Sequence, residues 1–394
     1  MSARPKGRLG LIYVPLGNVA DDYYSTGRTP EENAYSSAVV ALDAITGKPR
    51  WSFQAVQKDV WDYDFGSQPS LIDYRGTPAI LVPSKQGDLY VLDRATGRVL
   101  TPTGTIPAPQ GGAEPNERAP RQMVSLWNTV RKPPLQESDM WGMSPIDQMI
   151  CRIQYRTADY RGLYTPPSVS HHSVQYPGYN GGSDWGGVSI DPVRGIAIAN
   201  YNDMPNYLQL IPRSEADKRG IKPRFITHKI SSKSHAVDPQ WGVPYAIDVN
   251  AGWRMPFTKL MCKRPPYGGI RAIDIASGKT LWDRPLGTAR RNGPFNLPTL
   301  LPFTIGTPNN GGAVTTAGGL VFIAAATDNL IRAIDLRTGK TLWSAPLPAG
   351  GQATPIVYQQ DGREFIAIFA GGHHFMETPM GDSLIAYALP RNLH

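Results

Sequence analysis

The chain has 394 residues, enough to bury a sizeable core as one large or two ordinary domains. Glycine (40) and proline (37) exceed their usual share with no low-complexity tract to absorb them, which favours many short strands joined by tight turns over a helical architecture. The net charge is +8, but Lys and Arg are scattered without a basic run, so no nucleic-acid site is expected; an anionic substrate or an anionic membrane surface suits the charge as well.

In chain order, "RLGLIYVPLGN" (8–18) reads as a strand with nothing before it to pair; its apolar part is short and broken by Pro15, so it is neither a signal peptide nor a membrane span. A repeat begins directly after it. "VVALDAITGKPRW" ends at Trp51, "LYVLDRATGRVLT" at Thr101, "IRAIDIASGKTLW" at Trp282 and "IRAIDLRTGKTLW" at Trp343. Each copy has an apolar strand, an Asp (43, 93, 274, 335), a Gly (47, 97, 278, 339) and a second strand carrying the Trp, with Thr101 in its place in the second copy. Asp and Ser or Thr side chains bond turn backbone and Gly takes the positive φ of a tight hairpin. The indoles Trp51, Trp282 and Trp343 are expected to be buried between adjacent sheets.

Between the first two copies lies "VQKDVWDYDFGSQP" (56–69), with Asp59, Asp62 and Asp64 around one tryptophan. Acidic residues are poor strand formers, and the crowding has two readings: a surface loop capped by Asp, or a catalytic carboxylate held against a cofactor. Alternation along a strand would place Asp62 and Asp64 on one face and Trp61 and Tyr63 on the other. Asp59 is expected to cap the preceding turn. The gap after Thr101 holds long Pro- and Tyr-rich stretches (102–135, 160–180, 203–268) that read as excursions over one face, and "WGGVSIDPVRGIAIANY" (185–201), which reads as another blade with a different turn. Cys151 and Cys262 have no metal-ligand spacing; they pair in an oxidising compartment or remain buried thiols. With "GLVFIAAATDN" (319–329) supplying further strands before the last copy, a unit holds about four strands, the blade of a β-propeller. The fold class is therefore all-β, with four to five blades in residues 1–394, an incomplete ring of one partial propeller whose first blades belong to a longer protein.

"WDYDFGSQP", "KQGDLYVLDR", "LPAGGQATP" and "FAGGHH…GDSLIAYALP", together with the blade ends, closely resemble the membrane-bound dehydrogenases of the glucose/quinate/shikimate family that depend on pyrroloquinoline quinone (PQQ). The resemblance runs from about Gly10 to Pro390. It implies an eight-bladed propeller with PQQ near its axis, on the periplasmic face of the bacterial inner membrane, passing electrons to ubiquinone through a membrane domain absent from this sequence. By the same resemblance Asp62 is the general base for the substrate hydroxyl, His373 the active-site histidine, Lys85 the cation on the quinone oxygens and Asn200 a PQQ contact. His374, Asn310 and Asp184 receive no firm role, and Asp64 is either a second carboxylate near the metal or a turn cap. The family's divalent cation, Ca²⁺ or Mg²⁺, is expected to find its ligands mostly outside this sequence; they are unknown here. That leaves half a site, so activity of the chain by itself stays open.

The loops 371–382 and 200–213 look more like the quinate/shikimate branch than the glucose branch, and Arg213 or Arg290 is a candidate to receive a substrate carboxylate. Glucose or another aldose or polyol is the alternative substrate. A non-enzymatic propeller scaffold is the alternative from another class, and it leaves Asp62, Lys85, Asn200 and His373 without a common purpose. These four are expected to converge on one face near the axis.

Overall fold

A computed structural model describes residues 9–19, 21–222 and 235–389; parts of the expected first strand and of the third excursion, and Pro390, lie outside the described residues. The chain is all-β, with little helix. Five antiparallel sheets follow one another along it. The first comprises Leu11–Pro15, Ala38–Asp43 and Pro49–Gln54. The second comprises Ser70–Tyr74, Thr77–Pro83, Asp88–Asp93 and Asn128–Thr129. The third is Val188–Asp191, Ile196–Asn202, Gly268–Asp274 and Thr280–Pro285, and the fourth Ala313–Thr315, Leu320–Ile323, Leu330–Asp335 and Thr341–Pro346. The fifth is Ile356–Gln360, Arg363–Ala370 and Ser383–Ala388. Apolar side chains between consecutive sheets form a series of cores rather than one. Among the described residues the sheets do not close a ring, as expected for four to five blades.

Residues 185–201 do not form a blade of their own. Ile196–Asn202 pairs with Gly268–Asp274, with Asn200 opposite Ile270, so these strands are the inner half of the blade whose outer half is the third repeat copy. The excursion between them contributes three strands to a separate four-stranded sheet whose edge strand comes from the preceding connection, in the order Ser173–Gln175, Asn206–Pro212, Tyr245–Ala251 and His235–Asp238. A disulfide between Cys151, on the helix Pro145–Thr157, and Cys262 ties this excursion to the preceding one and decides between the two readings left by the sequence.

The repeat hairpins carry the expected chemistry. Asp335 Oδ1 accepts from Thr338 N at 2.8 Å and Thr338 Oγ1 at 2.7 Å, and Gly339 holds φ 71°. What the glycine also provides is room for the indole of the preceding unit. A Cβ on Gly97 would lie 2.6 Å from the Trp51 ring, and one on Gly339 would lie 2.7 Å from Trp282. The second copy lacks its own tryptophan, and Trp127, brought back by the 102–135 excursion just before the outer strand Asn128–Thr129, takes that place against Gly278. Burial of the three repeat indoles is therefore uneven. Trp282 is buried and Trp51 half-buried, whereas Trp343 is 40% exposed because the fifth sheet meets it with the edge of Tyr387, at 5.1 Å, instead of a hairpin glycine.

Antiparallel succession sends alternate connections to opposite faces. The Asp–Gly hairpins and the turns joining the first two strands of each four-stranded blade lie on one face. The opposite face receives the connections between blades (55–69, 130–187, 286–312 and 347–355) and the returns at 16–37, 84–87, 203–267, 324–329 and 371–382.

Gly47 and Gly97 share a left-handed φ, but nothing lies within 4 Å of a Cβ on Gly47. Gly47→Ala should therefore lose only about 1 kcal/mol to backbone strain. Gly97→Ala should lose about 1–3 kcal/mol more through overpacking against Trp51; urea unfolding of the two variants gives the difference, and equal losses would remove the stacking from the account. Opening the disulfide, which closes a loop of sequence separation 111, should cost about 2–5 kcal/mol on the same assay.

Candidate active site

Asp59 organises the stretch 56–69. Its buried carboxylate accepts from Trp61 N at 2.8 Å, Tyr63 N at 2.7 Å and Ser37 Oγ at 2.6 Å. It thus caps the turn that follows it and not the preceding one. Burial pushes its pKa up to about 6 despite these bonds. Residues 61–64 are not a strand: once the backbone N–H groups of Trp61 and Tyr63 bond a side chain, no ladder forms, and Asp62 adopts φ 57°. The expected division of faces nevertheless holds. Trp61 and Tyr63 are buried, donating to Thr165 O and Pro177 O at 2.8 and 2.7 Å, while Asp62 and Asp64 turn together toward Lys85.

Lys85 lies in the return Ser84–Gly87 of the second blade and is buried. Its Nζ donates to Asp62 Oδ1 at 2.8 Å and Asp64 Oδ2 at 2.6 Å, leaving one of three ammonium donors. Burial alone would lower its pKa, but Asp62, Asp64 and Asp184 outweigh that and keep it charged. Asp62 has its pKa raised by burial, opposed by Lys85, with Asp64 and Asp22 raising it further. Asp64 also accepts from Asn18 N at 2.7 Å, so it is both the second anion on Lys85 and a cap for the 16–37 return.

Asn200 stands near the end of its strand, donating from Nδ2 to Asn309 Oδ1 and Gly311 O, each at 2.9 Å, while its Oδ1 is buried without a partner. His373 rests its ring against Trp185, at 4.8 Å between centroids, and stacks on His374 at 5.0 Å. Burial, then His374, holds its pKa below the ordinary histidine value, so the ring is neutral at pH 7. The four expected site residues thus share a face, but only Asp62 and Lys85 touch. The others are joined by intermediaries: Asp184 acts electrostatically on Lys85 and accepts from Asn310 Nδ2 at 3.1 Å, Asn310 accepts from Asn202, Asn202 accepts from the backbone of Asn309, and Asn309 accepts from Asn200, while His373 rests on Trp185 beside Asp184. Burial pushes Asp184 up to about 6, against the pull of Lys85.

Sequence reading missed Asp22. Burial, then Asp64, pushes its pKa up to about 7 against the pull of Lys85. Buried Tyr23 and half-buried Tyr179, both near Asp62, were missed too, and desolvation with the adjacent charge keeps their phenols protonated. The signal was available: "DDYY" (21–24) sets carboxylates beside aromatics just as "WDYD" does.

A polar cofactor fits these residues. Among the described residues, buried Gln86 Oε1 and Nε2, Ser67 Oγ, Ser183 Oγ, Asn200 Oδ1 and His373 Nδ1 have no hydrogen-bond partner, and buried polar atoms without partners call for an explanation. Among the described residues no group of three or more His, Cys, Asp or Glu is arranged to hold a metal ion.

Comparison with known proteins agrees with this geometry. Residues 6–366 match the family model described as PQQ, glucose/ethanol/alcohol dehydrogenase, beta-propeller domain. The chain is 55% identical over 397 residues to the glycerol dehydrogenase large subunit of Gluconobacter oxydans, covering 97% of this chain and 53% of that protein. It is 40% identical to the quinoprotein glucose dehydrogenase of Escherichia coli (97% and 48% covered) and 39% identical to the probable quinate dehydrogenase of Xanthomonas campestris (97% and 48%). The quinohemoprotein alcohol dehydrogenase of Comamonas testosteroni shares the fold, at TM-score 0.55 and 22% identity over 92% of this chain and 43% of that one. The chain belongs to the PQQ-dependent dehydrogenase β-propeller family and spans about half the length of the curated relatives it matches.

Asp22 has a measurable consequence. Its folded pKa of about 7 exceeds the unfolded value of about 3.9, so between these limits the folded protein binds more protons than the unfolded chain. The stabilisation is complete below the unfolded pKa and is lost as pH rises toward 7. Asp22→Asn should flatten this decline in unfolding free energy between pH 4 and 7; a slope identical to wild type would show that Asp22 titrates normally.

Proposed function

We propose that this chain supplies the proton-accepting part of a PQQ-dependent dehydrogenase site that oxidises a CH–OH group of a polyol. The observation that carries the proposal is the cluster of Asp62 and Asp64 on buried Lys85, together with polar atoms that nothing among the described residues satisfies. When bound, PQQ supplies the two-electron acceptor for the carbinol hydride. Asp62 takes the hydroxyl proton at a carboxylate oxygen, and its raised pKa makes it a stronger base than an ordinary aspartate. Lys85 fixes the orientation of that carboxylate and offers its remaining N–H to a quinone oxygen. His373, neutral at pH 7, can accept or donate at the substrate without adding charge, and Asn200 presents an acceptor to the cofactor. A divalent metal, Ca²⁺ or Mg²⁺, belongs to the same proposal, with ligands from outside this chain.

The favoured substrate is a neutral polyol such as glycerol, with quinate, shikimate and glucose as alternatives. The glycerol dehydrogenase relative is more similar than the quinate and glucose enzymes cited above. Arg213 is also unsuited to a substrate carboxylate, because its Nη2 is spent on backbone carbonyls, among them Pro239 and Tyr245 at 2.5 and 2.9 Å. The disulfide suits an oxidising compartment such as the periplasm; the inner membrane as the location and ubiquinone as the final acceptor belong to the same proposal. No described helix is long and apolar enough to cross a membrane.

The test is PQQ titration followed by dye-coupled turnover of glycerol, glucose and quinate. The protein is produced together with the part of the Gluconobacter oxydans relative that it does not cover. Asp62→Asn should retain PQQ and lose about 10²–10⁴ in kcat. Lys85→Ala should weaken PQQ retention as well, since it removes a charge-assisted bond. Wild-type turnover by Asp62→Asn rules out the base, and turnover of quinate alone restores the quinate branch.

A further inference from the structure

The connection between the third and fourth blades, residues 286–312, carries an unusual surface. Phe257, Phe295, Leu297, Leu300, Leu301 and Phe303 are each 46–82% exposed. Phe257 joins the others because Phe295 N donates to Thr258 O at 2.7 Å, laying the two segments side by side. Scattered exposed apolar residues are ordinary, but six on two adjoining segments are not.

The arrangement is built and held. Thr299 Oγ1 donates to Ala289 O at 2.7 Å, Leu300 N to Arg290 O at 2.9 Å and Ala289 N to Phe303 O at 2.9 Å. Phe295, Asn296 and Leu300 all take left-handed φ values of 59–60°, which cost bulky L-residues energy and persist only where the surroundings enforce them. Here the enforced conformation keeps large apolar side chains in water. Packing among the described residues gives no reason for it.

Charge indicates the occupant. Residues 286–308 contain Arg290 and Arg291 and no Asp or Glu, and residues 251–267 contain Arg254, Lys259, Lys263 and Arg264, again with no acidic residue. Lys263 is buried on Asp203 and Arg264 pairs with Asp139, which leaves Lys259, Arg290 and Arg291 beside the apolar tips. Apolar tips flanked by such cations match an anionic phospholipid surface, where side chains enter the headgroup boundary and cations meet phosphates. A protein partner would be expected to bring acidic side chains but would not call for a projecting ridge of Phe and Leu broken by Pro294, Pro298 and Pro302. The ridge is on the same face as the candidate site: beneath it is a cavity of about 130 Å³ lined in part by Asn296, Pro298, and Met376 and Glu377 of the His373 loop.

We propose that Phe257 and the Phe295–Phe303 loop form a membrane-docking ridge that inserts into the interface of an anionic bilayer and turns the site-bearing face toward it. The experiment is co-sedimentation of the purified protein with phosphatidylcholine vesicles, with and without phosphatidylglycerol, at low and high salt. Wild type should bind the anionic vesicles and release at high salt. The triple variant Phe257→Ser, Leu300→Ser, Phe303→Ser should bind at least tenfold more weakly, as expected when three inserting side chains are lost. Lys259→Ala and Arg291→Ala should each lose about fivefold. Circular dichroism and thermal unfolding identify any variant that misfolds, and the two charge variants carry the test independently of the triple one. Wild type that stays in the supernatant, or a folded triple variant that binds equally well, overturns the proposal. Self-association of wild type that the triple variant abolishes, without vesicle binding, assigns the ridge to a second copy of the chain instead.

Discussion

The ammonium group of Lys85 sits where water is nearly excluded, and the two connections that meet there are shaped by the need to neutralise it. A buried cation without anions would be costly, and Lys85 has Asp62 and Asp64 in contact with Asp184 and Asp22 nearby. The balance is then tipped the other way. Burial first, and then the crowding of several carboxylates on one cation, keeps protons on groups that would ordinarily have lost them, Asp22 most clearly. The clamp of Asp59 on Trp61 and Tyr63 matters too, since it anchors the neighbours of Asp62 and leaves that side chain a single direction.

Much of the fold could be read from the sequence because the repeat has a local cause. Asp, Ser or Thr, and Gly within five residues specify a hairpin whatever surrounds them. The blade assignment of residues 185–201 failed for the opposite reason. The strand pairing of Asn200 with Ile270 spans an excursion of some 65 residues that joins a separate sheet with Ser173–Gln175, and no local pattern announces a partner so distant. Trp127 was hidden in the same way, doing the work of Thr101's absent indole from inside an excursion.

Within the site, Asp62 and Lys85 were legible through family motifs, and their contact is direct. The intermediaries were not. Asp184 and Asn310 stand on two separate connections and Asn202 ends a strand, and nothing local ties the three together until the chain is folded. Asp22 had a local signature, but its environment is set by residues about 40 and 63 positions away, Asp64 and Lys85, and burial is a property of the tertiary structure alone.

The stacking of an indole on the glycine of the following unit gives the array a polarity. A unit offers a plug on one side and a socket on the other, so a whole unit duplicated in tandem would arrive already fitted to both of its neighbours. Propellers can therefore change their number of blades through gene duplication without the new seams having to be invented. The second unit is the exception. Its plug, Trp127, comes on an excursion, so that excursion cannot be trimmed away without opening the seam to the third blade. A segment otherwise free to drift or be deleted is thereby held in place by the architecture it interrupts.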